Sequence, residues 1–138
     1  VVQSGKSLLL LLPLLLGDRL PADKRAALLA ELLHPGRYLT AHGLATEATD
    51  SAMYRANGYW RGPIWAPTTA LFQDALRRVG QHGVADEIAR KYLMMCDANG
   101  MAENHDALTG QGLHDPAFAW TSAVFLRSGG GIGGDTDL

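Results

Sequence analysis

The stretch Val84-Ala85-Asp86-Glu87-Ile88-Ala89-Arg90-Lys91-Tyr92-Leu93-Met94-Met95-Cys96-Asp97 decides the fold class. Ala85, Ile88, Ala89, Tyr92, Leu93 and Cys96 recur at the spacing that lines one face of an α-helix. Asp86, Glu87, Arg90 and Lys91 fall on the opposite face, and Asn99-Gly100 supplies the stop. Working outward, three more segments carry helical signals. Residues 22–33 place Leu28, Leu29, Leu32 and Leu33 together, with Pro21 in front and His34-Pro35-Gly36 behind. Pro67 opens a helix over 67–80 with a stripe of Leu71, Phe72, Ala75, Leu76 and Val79. Asp115-Pro116 opens a last one, whose Phe118, Trp120, Val124, Phe125 and Leu126 predict deep burial. No alternating run of strand length stands out, so the chain reads as all-α.

The N-terminal leucine run, Leu8 to Leu16 interrupted by Pro13, is too short to span a bilayer, which takes about 20 apolar residues. It reads as a buried helix. A secretory leader is the alternative, with Lys6 as its positive flank, but no small-residue cleavage site follows. The compartment expectation is cytoplasmic, with export as the other choice. The chain starts at Val1 rather than Met, as a processed or truncated protein would. Its end, 128–138, reads as a flexible Gly-rich tail after a single unit over 1–127.

Composition excludes several function classes. A net charge of -2 over 138 residues offers no basic stripe for a nucleic-acid backbone and no polybasic membrane signal. One cysteine, Cys96, rules out an intrachain disulfide and a Cys-rich zinc module. The five histidines are scattered. His105 and His114 share a loop, yet no paired helical spacing suggests a metal, and the expectation is no metal and no cofactor. Asp97-Ala98-Asn99-Gly100 begins like a calcium loop, but Leu108 stands where its closing glutamate belongs.

Connection lengths locate the chemistry. The links before residues 22 and 84 are short, which makes their helices antiparallel neighbours. The connections over 34–66 and 98–115 are long, and an up-down course brings both to one end of the stack. The first ends in Tyr59-Trp60-Arg61-Gly62-Pro63-Ile64-Trp65. Aromatic faces stack on the C–H face of a sugar, and a guanidinium suits hydroxyls and carboxylates. The competing reading is that the tryptophans plug the helical core. The second loop reads Met101-Ala102-Glu103-Asn104-His105-Asp106-Ala107-Leu108-Thr109-Gly110-Gln111-Gly112. Glu103, among small and apolar residues, suits a general base, although spacing alone favours a solvated loop carboxylate.

Together, Tyr59-Trp60-Arg61-Gly62-Pro63-Ile64-Trp65, Glu103-Asn104-His105-Asp106-x-x-Thr109-Gly110 and Phe118-x-Trp120-Thr121 resemble the C-terminal part of six-hairpin glycoside hydrolases. Within them the chain is most similar to glycoside hydrolase family 63, the processing α-glucosidases and mannosylglycerate-hydrolase-like enzymes. Trehalases and glycogen-debranching-type domains are more distant kin. The resemblance implies antiparallel helical hairpins forming part of an (α/α)6 toroid. It implies an inverting glycosidase acting on α-glucosides or related oligosaccharides. Glu103 corresponds to the general base, and Tyr59, Trp60, Arg61, Gly62, Trp65, Asn104, His105 and Trp120 to the substrate subsite. Family members commonly carry Tyr where His105 stands. The family's general acid is an upstream aspartate with no matching motif in this chain. The expected partners are therefore a glycoside and, over the open flank, the remainder of the barrel or a second copy. A non-catalytic carbohydrate-binding module and a helical interaction domain are the alternatives from other classes.

Overall fold

Helix α3 spans His82–Asn99 and buries Ala85, Ile88, Ala89, Tyr92, Met95 and Cys96, the face its periodicity dictates. Gly100 terminates it at φ 84, a left-handed conformation suited to glycine, with its N–H bonded to Cys96 O at 2.8 Å. The computed structural model describes residues 5–132. Helix α2, Ala66–Arg78, starts at Trp65 with Pro67 in its first turn, where a missing N–H costs nothing. The Thr68 and Thr69 hydroxyls both donate to the Trp65 carbonyl, at 3.1 and 2.7 Å. Helix α2 is central: it packs against the leucine segment, α3 and the last helix, α4 (Ala119–Ile132), and buries Phe72, Ala75 and Leu76, while Leu71 lies on its exposed side. Helix α1, Ala22–Leu32, lies against the leucine segment with Leu32 buried.

Two apolar clusters result. The larger joins Leu8, Leu11, Leu14, Leu32, Tyr38, Leu44, Phe72, Leu76 and Ile88. The second joins Ala45, Ile64, Ala66, Tyr92, Met95, Cys96 and Ala107 under the two long connections. Full burial of a side chain such as Phe72 contributes about 1.5–3 kcal/mol.

Four expectations are corrected. The leucine run is not an α-helix but a 3-10 helix, Leu8–Arg19, kinked at Gly17. Its buried positions, Leu8, Leu11, Leu14 and Gly17, step by three, matching the three residues per turn of that helix. The chain is not free of strands: β1, Asn104–His105, pairs antiparallel with β2, Gly112–Leu113, inside the second long connection. Helix α4, Ala119–Ile132, starts three residues after Pro116 because the Asp115 carboxylate bonds the Ala117 N–H and makes a turn there. That helix is also not deeply buried. Thr121 and Ser128 are its buried residues, while Trp120 and Leu126 are 54% and 74% exposed, so its apolar far side has no neighbour among the described residues. The expected tail begins as helix, with Ser128 Oγ buried and accepting from Gln73 Nε2 at 3.1 Å; residues 133–138 lie outside the described residues. No helix among the described residues is long and apolar enough to cross a membrane.

Candidate active site

The two long connections meet. Ile64 and His105 exchange backbone hydrogen bonds at 2.7 and 3.1 Å, which fixes the aromatic loop against β1. Glu103 is tied down from several sides. Its N–H donates to Asp115 O at 2.7 Å, and Thr121 Oγ1 at the start of α4 donates to Ala102 O at 2.6 Å. Asp106 Oδ1 accepts from the Leu108 and Thr109 N–H groups, at 2.8 and 3.1 Å, and shapes the turn that follows. The Glu103 side chain is half-buried, and its Oε1 accepts from the Tyr59 hydroxyl at 2.6 Å. That bond holds the Tyr59 phenol above its ordinary pKa, because the proton it would lose binds a carboxylate.

Tyr59 organises the aromatic residues around Glu103. Its ring meets Trp65 edge-on at 4.8 Å, Trp60 at 6.4 Å and His114 at 5.6 Å. Trp60 lies flat on Trp65, at 4.2 Å and 8° between planes. Phe118 bridges Trp65 to Trp120, at 6.4 and 6.1 Å. All three indoles therefore belong to one chain of ring contacts, joined to the carboxylate through Tyr59. The two readings of the tryptophans divide by residue. Trp65 is a core plug, 2% exposed, with Nε1 donating to Tyr59 O at 2.9 Å. Trp60 is half-buried and Trp120 more than half exposed.

Backbone strain gathers at the same place. Tyr59 and His114 are the two non-glycine residues with positive φ among the described residues, at 61° and 64°, and their rings touch. Such conformations cost of order 1–3 kcal/mol and persist where surrounding contacts over-determine them.

Three of the expected subsite residues are buried in this chain. Asn104 and His105 are interior, each 1% exposed. Both residues of β1 are covered, since the strand pairs with β2 and His105 also bridges to Ile64. His105 Nε2 is bonded to Gly100 O at 2.9 Å, and burial pushes its imidazole below the ordinary value. Gly62 is also buried and serves packing: a Cβ there would lie 2.1 Å from Arg55 O. Arg61 reaches the surface, half exposed. No three His, Cys, Asp or Glu side chains converge on a cation site among the described residues. The sequence reading missed Glu47, a fully buried carboxylate 4.0 Å from Arg61 Nη1. Its one signal was an acidic residue alone among small ones, Leu44-Ala45-Thr46-Glu47-Ala48. His114 and Phe118 pack edge-on against Tyr59 and Trp65; the sequence shows His114 only as sharing a loop with His105, and Phe118 as part of the Phe118-x-Trp120-Thr121 motif.

With that geometry in place, comparison with known proteins decides the family. A profile of the mannosylglycerate hydrolase MGH1-like glycoside hydrolase domain matches residues 2–121. The chain belongs to that family. It is 34% identical over 110 residues to a mannosylglycerate hydrolase of Rubrobacter radiotolerans, covering 77% of this chain and 25% of that protein. It is 33% identical over 118 residues to a glucosylglycerate hydrolase of Mycolicibacterium hassiacum, covering 83% of this chain and 26% of that protein. A crystal structure of a GH63 mannosylglycerate hydrolase from Thermus thermophilus in complex with glucose superposes with a TM-score of 0.76. That match has 28% identity and covers 90% of this chain and 30% of the other. The fold is accordingly a set of antiparallel helical hairpins from an (α/α)6 toroid. The chain spans about a quarter of the length of the relatives it matches.

Proposed function

We propose that this segment supplies the general base and part of the sugar subsite of an inverting glycoside hydrolase. The observation that carries the proposal is the Glu103 carboxylate, half-buried and bonded to Tyr59, whose ring joins it to a chain of aromatic contacts that includes all three tryptophans. The Tyr59 hydroxyl occupies Oε1 and fixes the carboxylate plane, leaving Oε2 to a water. In the reaction that water attacks the anomeric carbon from the face opposite the leaving group. Glu103 takes its proton, the glycosidic C–O bond breaks, and a second carboxyl group protonates the departing oxygen. Inversion sets the two carboxyl groups about 6.5–9.5 Å apart, so that the water fits between them. Asp50, Asp74, Asp97, Asp106 and Asp115 stand in no motif for that acid; it belongs to another part of the barrel. Trp60 and Trp120 offer ring faces to the sugar, and Arg61 offers donors to its hydroxyls.

The substrate class proposed is an α-glucoside or a kindred glycoside, with glucosylglycerate and mannosylglycerate as the first two to try, given the relatives' names. The partner that covers the open flank is the rest of the toroid. The test is proton NMR of the first-formed sugar during hydrolysis by the full-length protein. The inverted anomer is expected; the retained anomer overturns the mechanism. The 138-residue chain alone is expected to hydrolyse neither glycoside, since it lacks the acid.

A further inference from the structure

Glu47 is fully buried, yet only one of its oxygens is satisfied. Oε1 accepts from the Lys6 N–H and from Ser51 Oγ, both at 2.5 Å. Oε2 is buried with no hydrogen-bond donor among the described residues, and Arg61 Nη1 stands 4.0 Å from it. Taking a carboxylate out of water is strongly unfavourable unless donors and a counter-charge compensate. A neutral residue would serve the core better, so the charge calls for another explanation.

Arg61 provides it. Its backbone is pinned on both sides: its N–H donates to Gly58 O at 3.1 Å, and its carbonyl accepts from Arg55 N–H at 2.7 Å. Its guanidinium is half exposed and directly follows Trp60, the indole stacked on Trp65. Gly5 closes the other side of the pair. A Cβ there would lie 2.8 Å from Arg61 Nη1 and 3.2 Å from Glu47 Oε1, so only bare backbone leaves the guanidinium its place. One end of the arginine head thus faces a buried negative charge, and the rest faces solvent.

We propose that Glu47 is a positioning residue for substrate recognition. It holds one nitrogen of Arg61 so that the remaining donors meet the hydroxyls of a sugar lying against Trp60. Because Glu47 neutralises the arginine, the pair suits the uncharged sugar ring rather than a carboxylate of the aglycone. The inference rests on the hydrolase reading above.

The test uses the full-length protein with glucosylglycerate and mannosylglycerate. Glu47→Gln keeps the shape and an acceptor for Lys6 N–H, but removes the charge facing Arg61. KM is expected to rise about tenfold, the scale of one hydrogen bond to a charged group, with kcat within about twofold. Arg61→Ala is expected to raise KM by a similar factor, and the double variant to add nothing further. Ser51→Ala removes one of the two hydrogen bonds to Glu47 Oε1 without touching the charge of Glu47; it is expected to lower Tm and leave KM alone. An unchanged KM in Glu47→Gln, multiplying effects in the double variant, or an equal KM rise in Ser51→Ala would each overturn the inference. If Glu47→Gln does not fold, Glu47→Asp carries the same cycle: the shortened carboxylate is expected to raise KM only while Arg61 is present. Should the wild type hydrolyse neither glycoside, the hydrolase reading falls. The inference is then decided by quenching of tryptophan fluorescence with D-glucose, where Glu47→Gln must weaken binding about tenfold. Equal binding, or no quenching in the wild type, sinks it.

Discussion

Replacing Gly62 with Ala puts a methyl group where the aromatic loop has no room. The new Cβ would lie 2.1 Å from Arg55 O, 3.0 Å from Arg55 C and 3.1 Å from Tyr54 Cε2. A carbon–oxygen contact settles at about 3.3 Å, so the two arms of the turn must part by roughly 1 Å. They are not free to do so. Arg55 N–H donates to Arg61 O at 2.7 Å, Gly58 N–H to Arg55 O at 3.0 Å and Gly62 N–H to Thr46 Oγ1 at 3.2 Å. Losing two of these costs about 1–3 kcal/mol at a net 0.5–1.5 each, and overpacking strain adds about 1–3 kcal/mol. A total near 3 kcal/mol lowers Tm by about 10 °C for a domain of this size. Thermal melts followed by far-ultraviolet circular dichroism read it directly. Gly83→Ala is the internal control: nothing lies within 4 Å of its Cβ, and it sits in the first turn of α3, so Tm should rise slightly. If both variants melt within about 2 °C of the wild type, the packing account of the Tyr59–Trp65 loop is wrong.

Other perturbations separate chemistry from stability. Tyr59→Phe keeps the ring against Trp65 and removes only the hydroxyl on Glu103. In the full-length protein kcat/KM should fall about tenfold, ~1.4 kcal/mol, with little change in Tm; a lowered Tm at unchanged kcat/KM would make that bond structural. Trp120 is more than half exposed, so Trp120→Ala should cost under ~1 kcal/mol of stability while weakening quenching of the remaining tryptophans by glucose; undiminished quenching removes it from the subsite. His105 has its pKa lowered by burial. Its contribution is whole above the unfolded value of about 6.5 and is lost as pH falls toward the depressed folded value. Tm should therefore drop between about pH 7 and 5, and His105→Gln should flatten that slope. An equal slope in the variant points to other groups.

Much of this molecule could be read before any coordinates. Helix α3 follows from a clean heptad-like face, and the meeting of the long connections follows from link lengths alone. What escaped has identifiable causes. A leucine run has no polar face, so periodicity could not tell a three-residue repeat from a 3.6-residue one. The strands around residue 104 are two residues each, below any detectable alternation. Helix α4 reads as buried because its sequence is apolar on most sides, yet apolar composition alone does not say which sides meet a neighbour, and Trp120 and Leu126 lie exposed. At the site, Glu103, Trp60 and Trp65 stood in motifs of unusual composition. Asn104 and His105 stood in the same motif but are buried, because β1 runs between β2 on one side and the Ile64 backbone on the other, so both of its faces are covered. Glu47 lay in no motif, and its meaning depends on Arg61, fourteen positions later.

The central claim concerns the carboxylate at 103, and the most direct measurement is single-turnover hydrolysis of glucosylglycerate by the full-length protein with Glu103→Gln. The glutamine keeps an acceptor for the Tyr59 hydroxyl but cannot take a proton from water. The account predicts a rate loss of at least about a hundredfold, the lower range for a positioned base, at unchanged Tm. A variant that turns over at the wild-type rate would contradict it.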